Sequence, residues 1–286
     1  MSFVVENSSG PEIILGTVQL GLPYGVNNFC GQPTQEDALT ILQTAYDLGL
    51  RSLDTAQAYG SSLEVVKHAL RRGLKFKIFT KIKPDESNTR TYIEDLCDSL
   101  GVKELDGVSL HADLSHFSHE SIDALKALRS DGVIKKLGVS VYDHRDCVEA
   151  SKLDFIDLVQ LPFNLLDGWK QRGASLRLLK AEGKTVHVRS VFLQGMFFSK
   201  KPHAQLAVSV QALQVSARAW PGGITQMAID YVRGNPFVDG MLFGAETVEQ
   251  VKQNYKMCSG PLNAMPLCPI SLSTNEMRYL DPRTWI

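Results

Sequence analysis

Four side chains in the first 111 residues are of the types that together move a proton. Asp54 and Tyr59 lie in LDTAQAYG (53–60), Lys81 in FTKI (79–82), and His111 closes VSLH (108–111). An isolated tyrosine, with a pKa of about 10, is a poor acid near neutrality. A neighbouring ammonium lowers that value, and a buried carboxylate holds the ammonium charged and in place. In such a set Tyr59 is the general acid–base, Lys81 and Asp54 tune it, and His111 orients a carbonyl oxygen by hydrogen bond. Singly, each has a bland explanation: Asp54 as a helix cap, Lys81 as a snorkelling side chain, His111 as a satisfied core imidazole. A protonated carbonyl also needs a nucleophile, and no Ser or Cys stands beside a base. Hydride from a nicotinamide fits that gap.

These residues fall where short apolar stretches end. Strands are expected at 13–18, 51–55, 77–82, 106–111, 136–142, 157–162, 185–192 and 240–245. Helical periodicity is found near 34–48, 61–72, 89–100, 118–131, 144–152, 170–182, 223–233 and 247–257. Leu63, Val66 and Leu70, for example, share one helical face. Eight strands alternating with eight helices predict an α/β fold, a (β/α)8 TIM barrel forming a single domain over residues 1–286. Near-continuous apolar strands suit a parallel sheet covered by helices. A doubly wound sheet is the weaker alternative, because no G-x-G occurs in the chain. In a barrel of this kind the C-terminal ends of the strands face the active site, so Asp54, Tyr59, Lys81 and His111 arrive on one rim. Residues 196–222 read as a long loop plus a helix, and 261–286 as an irregular C-terminal tail.

Composition narrows the function classes. Apolar residues make up 44% of the 286 and charged residues 21%, with a net charge of −1. That balance argues against nucleic acid or an anionic membrane as partner. No run approaches a membrane span. Five cysteines without a C-x-x-C pair, and a start lacking a secretory pattern, point to a reducing cytoplasm. His111, Asp113, His116 and His119 cluster in sequence. A fourth strand ending at His111 leaves the others in the following loop and helix start, so a metal site is not expected.

L-D-T-A-x-x-Y-G, the Lys of FTKI and the His of VSLH together resemble the catalytic tetrad of the aldo-keto reductase superfamily, a likeness that covers nearly the whole chain. LGTVQLG resembles that family's first strand, with Gly16 and Thr17 near the nicotinamide. LGVSVY and DLVQLPFNLLD resemble the stretches whose Ser140, Gln160 and Asn164 would contact the carboxamide. RSVFLQGMF corresponds to the pyrophosphate loop, which implies Phe192, Leu193, Gln194 and Gly195 there. FGAETVEQVKQN corresponds to the adenosine segment, implying Gly244, Ala245, Thr247, Gln250 and Asn254, with a helix N-terminus near Thr247. Val141 and Arg189 stand where relatives have Asn and a ring-stacking aromatic. The planar Arg189 guanidinium would stack on the nicotinamide ring in that aromatic's place, and it also brings a charge that suits an acidic or polyhydroxy substrate. Glu246 and Gln250 stand where the family often places a cation against the 2′-phosphate. The resemblance implies NADP(H), and the Glu246 carboxylate leaves NAD(H) open.

The implied activity is NAD(P)H-dependent reduction of an aldehyde, ketone or sugar-derived carbonyl, in a cytoplasmic monomer or weak homo-oligomer. Part of LGTVQLGLPYG…N…GQ is similar to a bacterial subgroup associated with surface-sugar biosynthesis. Loops 23–33, 112–118 and 165–170, and the tail, would shape the substrate pocket, with Tyr24, Asn27, Asn28 and Trp169 in its walls. Two other classes remain: a nicotinamide-binding regulatory barrel with little turnover, and a cofactor-independent lyase using Lys81 as a Schiff-base amine.

Overall fold

The computed structural model describes residues 10–84, 88–112, 114–263 and 270–285. Eight parallel strands close a barrel in chain order, each pairing with the next and β8 returning to β1. They are β1 (Glu12–Gly16), β2 (Ser52–Asp54), β3 (Lys77–Ile82), β4 (Gly107–Leu110), β5 (Leu137–Ser140), β6 (Leu158–Pro162), β7 (Thr185–Arg189) and β8 (Gly240–Gly244). Strands β2, β4 and β6 are buried at every position, as a parallel sheet under helices requires.

A helical turn α1 (Val18–Gly21) follows β1, and the outer layer begins with α2 (Gln35–Asp47). It continues through α3 (Ser62–Arg71), α4 (Thr89–Leu100), α5 (His119–Ser130), α6 (His144–Ser151) and α7 (Trp169–Ala181). After β7 come α8 (Ala207–Ser216) and α9 (Gly223–Arg233), and after β8 comes α10 (Val248–Ser259). Polar side chains start several of these helices by accepting an otherwise orphaned N–H. Thr34, Asn88, Ser118 and Thr247 accept from Asp37, Thr91, Ser121 and Gln250.

Three expectations are corrected. The first strand stops at Gly16, because Val18 already begins a helical turn. The seventh stops at Arg189, because Ser190 takes φ 60° and Leu193 φ 46°, leaving the extended region. The tail contains a helix, α11 (Thr274–Arg278), opened by a capping box in which Ser273 and Glu276 satisfy each other's backbone N–H.

Candidate active site

Parallel registration places the ends of the strands at one rim. Gly16 lies beside Asp54 and Gly244, Asp54 beside Phe79, and Ser140 beside Gln160. A cavity of about 880 Å³ opens there, lined among others by Asp54, Tyr59, Lys81, His111, Ser140, Gln160 and Arg189.

At its floor Lys81 Nζ donates to Asp54 Oδ1 at 2.5 Å and to the Thr55 carbonyl at 3.3 Å. Both side chains are almost fully buried, at 1% and 6% exposure, so neither charge is shared with water. Gln160 Nε2 donates to the other carboxylate oxygen, Asp54 Oδ2, at 2.8 Å. Burial alone would lower the Lys81 ammonium. The Asp54 charge and the Tyr59 oxygen outweigh it, and the pKa is raised. Lys81 is therefore a fixed cation.

Tyr59 sits above that cation, with Nζ 5.3 Å from its ring centroid and the His111 ring 6.1 Å away, edge to face. Sequence logic predicts that Lys81 lowers the phenol's pKa. The ammonium does act that way, but burial is the larger influence and leaves the phenol raised above its ordinary value near 10. Tyr59 thus holds its proton at neutrality. Burial, aided by the Lys81 charge, lowers His111 to about 4, so its imidazole is neutral at pH 7. A phenol with a proton to give and a neutral imidazole beside it can both donate to one incoming oxygen.

The Tyr59 turn is fixed by a close backbone approach. A methyl group at Gly21 would lie 1.9 Å from the Tyr59 carbonyl oxygen and 2.4 Å from the Ser62 nitrogen. Gly60, at φ 53°, closes the same contact from the other side. Thr17 is fully buried beneath it, donating to the Asp54 carbonyl at 3.1 Å and sharing a hydrogen bond with Ser62 at 2.6 Å.

The rest of the cavity wall carries amide side chains and a left-handed loop. Gln160 Oε1 and Gln19 Oε1 are buried without a hydrogen-bond partner, and both residues line the wall. Leu193, Gln194 and Gly195 take φ 46°, 52° and 86°, a left-handed turn in which the Leu193 and Gly195 N–H groups donate to the Ser190 and Phe192 carbonyls at 2.8 and 3.0 Å. Holding two non-glycine residues so costs about 1–3 kcal/mol each, which the surrounding structure must offset. Asn164 helps: wholly buried, it donates to the Ser190 carbonyl at 3.0 Å and accepts from Leu166 and Asp167 at 2.9 Å. Across the opening the Val26 N–H donates to the Gln194 carbonyl at 3.0 Å, joining the loops after β1 and β7. At one end Gln250 accepts from the Glu246 backbone at 2.8 Å and donates to its carboxylate at 3.1 Å.

A model of the Aldo/keto reductase family matches residues 12–267. The chain belongs to the aldo/keto reductase family. An uncharacterized oxidoreductase of Bacillus subtilis, YqkF, is 24% identical over 76% of this chain and 80% of its own. Methylglyoxal reductase DkgA of Escherichia coli O157:H7 is 33% identical over 38% of this chain and 42% of its own. The holo form of aldo-keto reductase AKR11C1 from Bacillus halodurans superposes with a TM-score of 0.73 at 20% identity, over 95% of this chain and 91% of that one. Membership makes the protein an oxidoreductase on a (β/α)8 barrel, of a family that uses nicotinamide cofactors and small carbonyl substrates.

Of the side chains named from sequence, Gly16, Ser140, Gln160, Arg189, Phe192, Gln194, Gly195, Gly244, Gln250 and Asn254 line the cavity with the tetrad. Thr17, Leu193, Ala245 and Thr247 do not. The first three are buried beneath the wall, and Thr247 caps α10. Asn164 braces a loop rather than facing the cavity, because its whole amide is used by backbone. Tyr24, Asn27 and Asn28 are in the wall, whereas Trp169 packs on Phe237 with ring centroids 5.6 Å apart. Sequence reasoning gave no role to Gln19, Tyr142 or Arg283, all of which line the cavity. Asp113 lies outside the described residues. Among those described, no three His, Cys, Asp or Glu side chains form a group that could hold a metal ion.

Proposed function

We propose that the protein reduces an aldehyde or ketone, in particular a sugar-derived carbonyl, by direct hydride transfer from a nicotinamide with Tyr59 as general acid. The observation that carries this is the Tyr59 phenol, edge to face with the His111 ring and over the buried Lys81–Asp54 pair. The residues also fit the cofactor, since the buried amide oxygens of Gln19 and Gln160 have no partner among the described residues and can accept from its carboxamide. When bound, the cofactor supplies hydride. The chain's own residues do the rest: Ser140 and Gln160 orient the carboxamide, His111 positions the carbonyl oxygen, and Tyr59 gives it a proton. Lys81 then stabilises the phenolate left behind, and Asp54 keeps Lys81 charged and aimed.

NADP(H) is the form that the family likeness implies. Glu246, held by Gln250 in the wall beside Asn254, favours NAD(H), because a carboxylate accepts from a ribose hydroxyl and repels a phosphate. A lyase using Lys81 is disfavoured by the raised pKa and the 2.5 Å ion pair, since a Schiff base requires a free neutral amine. Fluorescence titrations with NADPH and NADH, followed by carbonyl-dependent oxidation of the bound form, test the proposal. Tight binding with turnover supports a reductase, binding without turnover supports the regulatory barrel, and no binding of either overturns both.

A further inference from the structure

Arg189 ends β7 in the cavity wall, and its guanidinium carbon lies 4.1 Å from the centroid of the Tyr142 ring. Its hydrogen bond among the described residues is a long one, 3.3 Å from Nη2 to the Val141 carbonyl. Among the described residues it forms no ion pair, which sets it apart from the other arginines around Tyr142. Arg172 is held in a two-bond fork by buried Asp167, both contacts 2.7 Å, and also donates to the Tyr142 carbonyl. Arg283, from the tail, covers Tyr142 at 3.8 Å and is held by Asp281 at 2.6–3.0 Å. The backbone of Tyr142 is thus tied by Arg172 and its ring touched by two guanidiniums, of which one is neutralised and one is not.

Stacking fixes the plane of a guanidinium and leaves its in-plane N–H donors directed away from the ring, where a carboxylate or phosphate accepts two at once. An unneutralised guanidinium in a partly dry cavity costs desolvation energy unless an anion meets it there. We propose that Arg189, backed by Tyr142, binds an anionic group on the substrate, so that the protein acts on carbonyl compounds bearing a carboxylate or a phosphate. This rests on the reductase reading and names the substrate class of that same site. The anionic group is unchanged by the reaction: hydride adds to the carbonyl carbon, a proton to its oxygen, and the charge serves only to seat the molecule. A sugar acid or a sugar phosphate has this chemistry.

Two matched pairs of aldehydes separate the sources of charge: 4-carboxybenzaldehyde against its methyl ester, and glyceraldehyde 3-phosphate against glyceraldehyde. The expected result is a kcat/KM at least tenfold higher for the anionic member of one pair, expressed mainly in KM. That ratio falls to within about twofold in Arg189→Met and is only partly restored in Arg189→Lys, which keeps the charge without the fork. Anionic and neutral members within twofold of each other in the wild type, or a ratio that survives in a folded Arg189→Met, overturns the inference. If none of the four aldehydes turns over, the reductase reading fails instead. Calorimetric titration with 4-carboxybenzyl alcohol and glycerol 3-phosphate then decides, and binding equal in wild type and Arg189→Met also overturns the anion site.

Discussion

Two lysine–carboxylate pairs start from β3, one at each end of the barrel, the first reaching past β2 to β1 and the second ending on β2. At the N-terminal end Lys77 meets Glu12 of β1 at 2.8 Å, with side chains 53% and 35% exposed. At the C-terminal end Lys81 meets Asp54 of β2 at 2.5 Å, with 1% and 6% exposed. The chemistry is the same and the consequences differ because of water. An exposed pair contributes at most about 1 kcal/mol, being screened and mobile. A buried pair adds little net stability either, since desolvation offsets attraction, but removing one partner strands the other. Water reaches the Lys77–Glu12 pair, whose carboxylate also accepts from buried Ser52 at 2.6 Å, whereas its exclusion from Lys81–Asp54 leaves a charge held beneath Tyr59.

The sharpest way to break this contrast is Lys81→Met. Among the described residues it leaves buried Asp54 with Gln160 alone as a side-chain partner, and should cost about 3–5 kcal/mol in urea unfolding and nearly all turnover. Lys81→Arg is the companion variant, since it keeps a charge and tests whether stability returns without activity. Near-equal loss from Lys81→Met and Lys77→Met would mean that burial does not distinguish the pairs.

Next comes the acid limb of stability. His187, on β7 inside the barrel with its ring centroid 4.9 Å from that of Phe79, is lowered by burial from 6.5 to about 4. His111 shows the same drop. A histidine depressed on folding favours the native state above pH 6.5, and that contribution is lost as pH falls through 4. Each is worth about 3 kcal/mol over that window. Unfolding followed from pH 7 to 4 should therefore show a slope that His187→Gln flattens, and an unchanged slope would show that the ring is not held neutral.

Gly21→Ala tests the close approach that fixes Tyr59. Displacing the turn by about 1 Å should lower kcat ten- to a hundredfold while cofactor affinity changes little. The smallest effect belongs to Glu246→Gln. Removing one rim carboxylate should improve the NADPH to NADH affinity ratio by about tenfold or less, read by fluorescence titration.

How much of this is legible in sequence differs by element. The barrel is, because eight apolar runs in alternation with helical periodicity leave few other folds. The grouping of Asp54, Tyr59, Lys81 and His111 at one rim is, because three of them sit at or beside strand ends and Tyr59 in the turn just after β2. The end of the seventh strand is not: the β-branched run through Val191 reads as extended, and the turn rests on contacts that spacing does not show, from the Asn164 amide and the Leu193 N–H to the Ser190 carbonyl. The tail helix carried its signal in Ser273 and Glu276, three apart, although the stretch reads as irregular. Gln160 shows what spacing cannot supply. One end of its amide serves Asp54 and the other has no partner among the described residues, so a single side chain joins the Lys81–Asp54 pair to the cavity wall.

The most direct test of the account is Tyr59→Phe, measured for turnover and for cofactor affinity in the same preparation. Turnover should fall by at least a hundredfold while affinity stays within about threefold, since the phenol acts on the carbonyl and removing its proton costs only the chemical step. Turnover within a few-fold of wild type, or a parallel loss of cofactor binding, would contradict the assignment of Tyr59 as the acid.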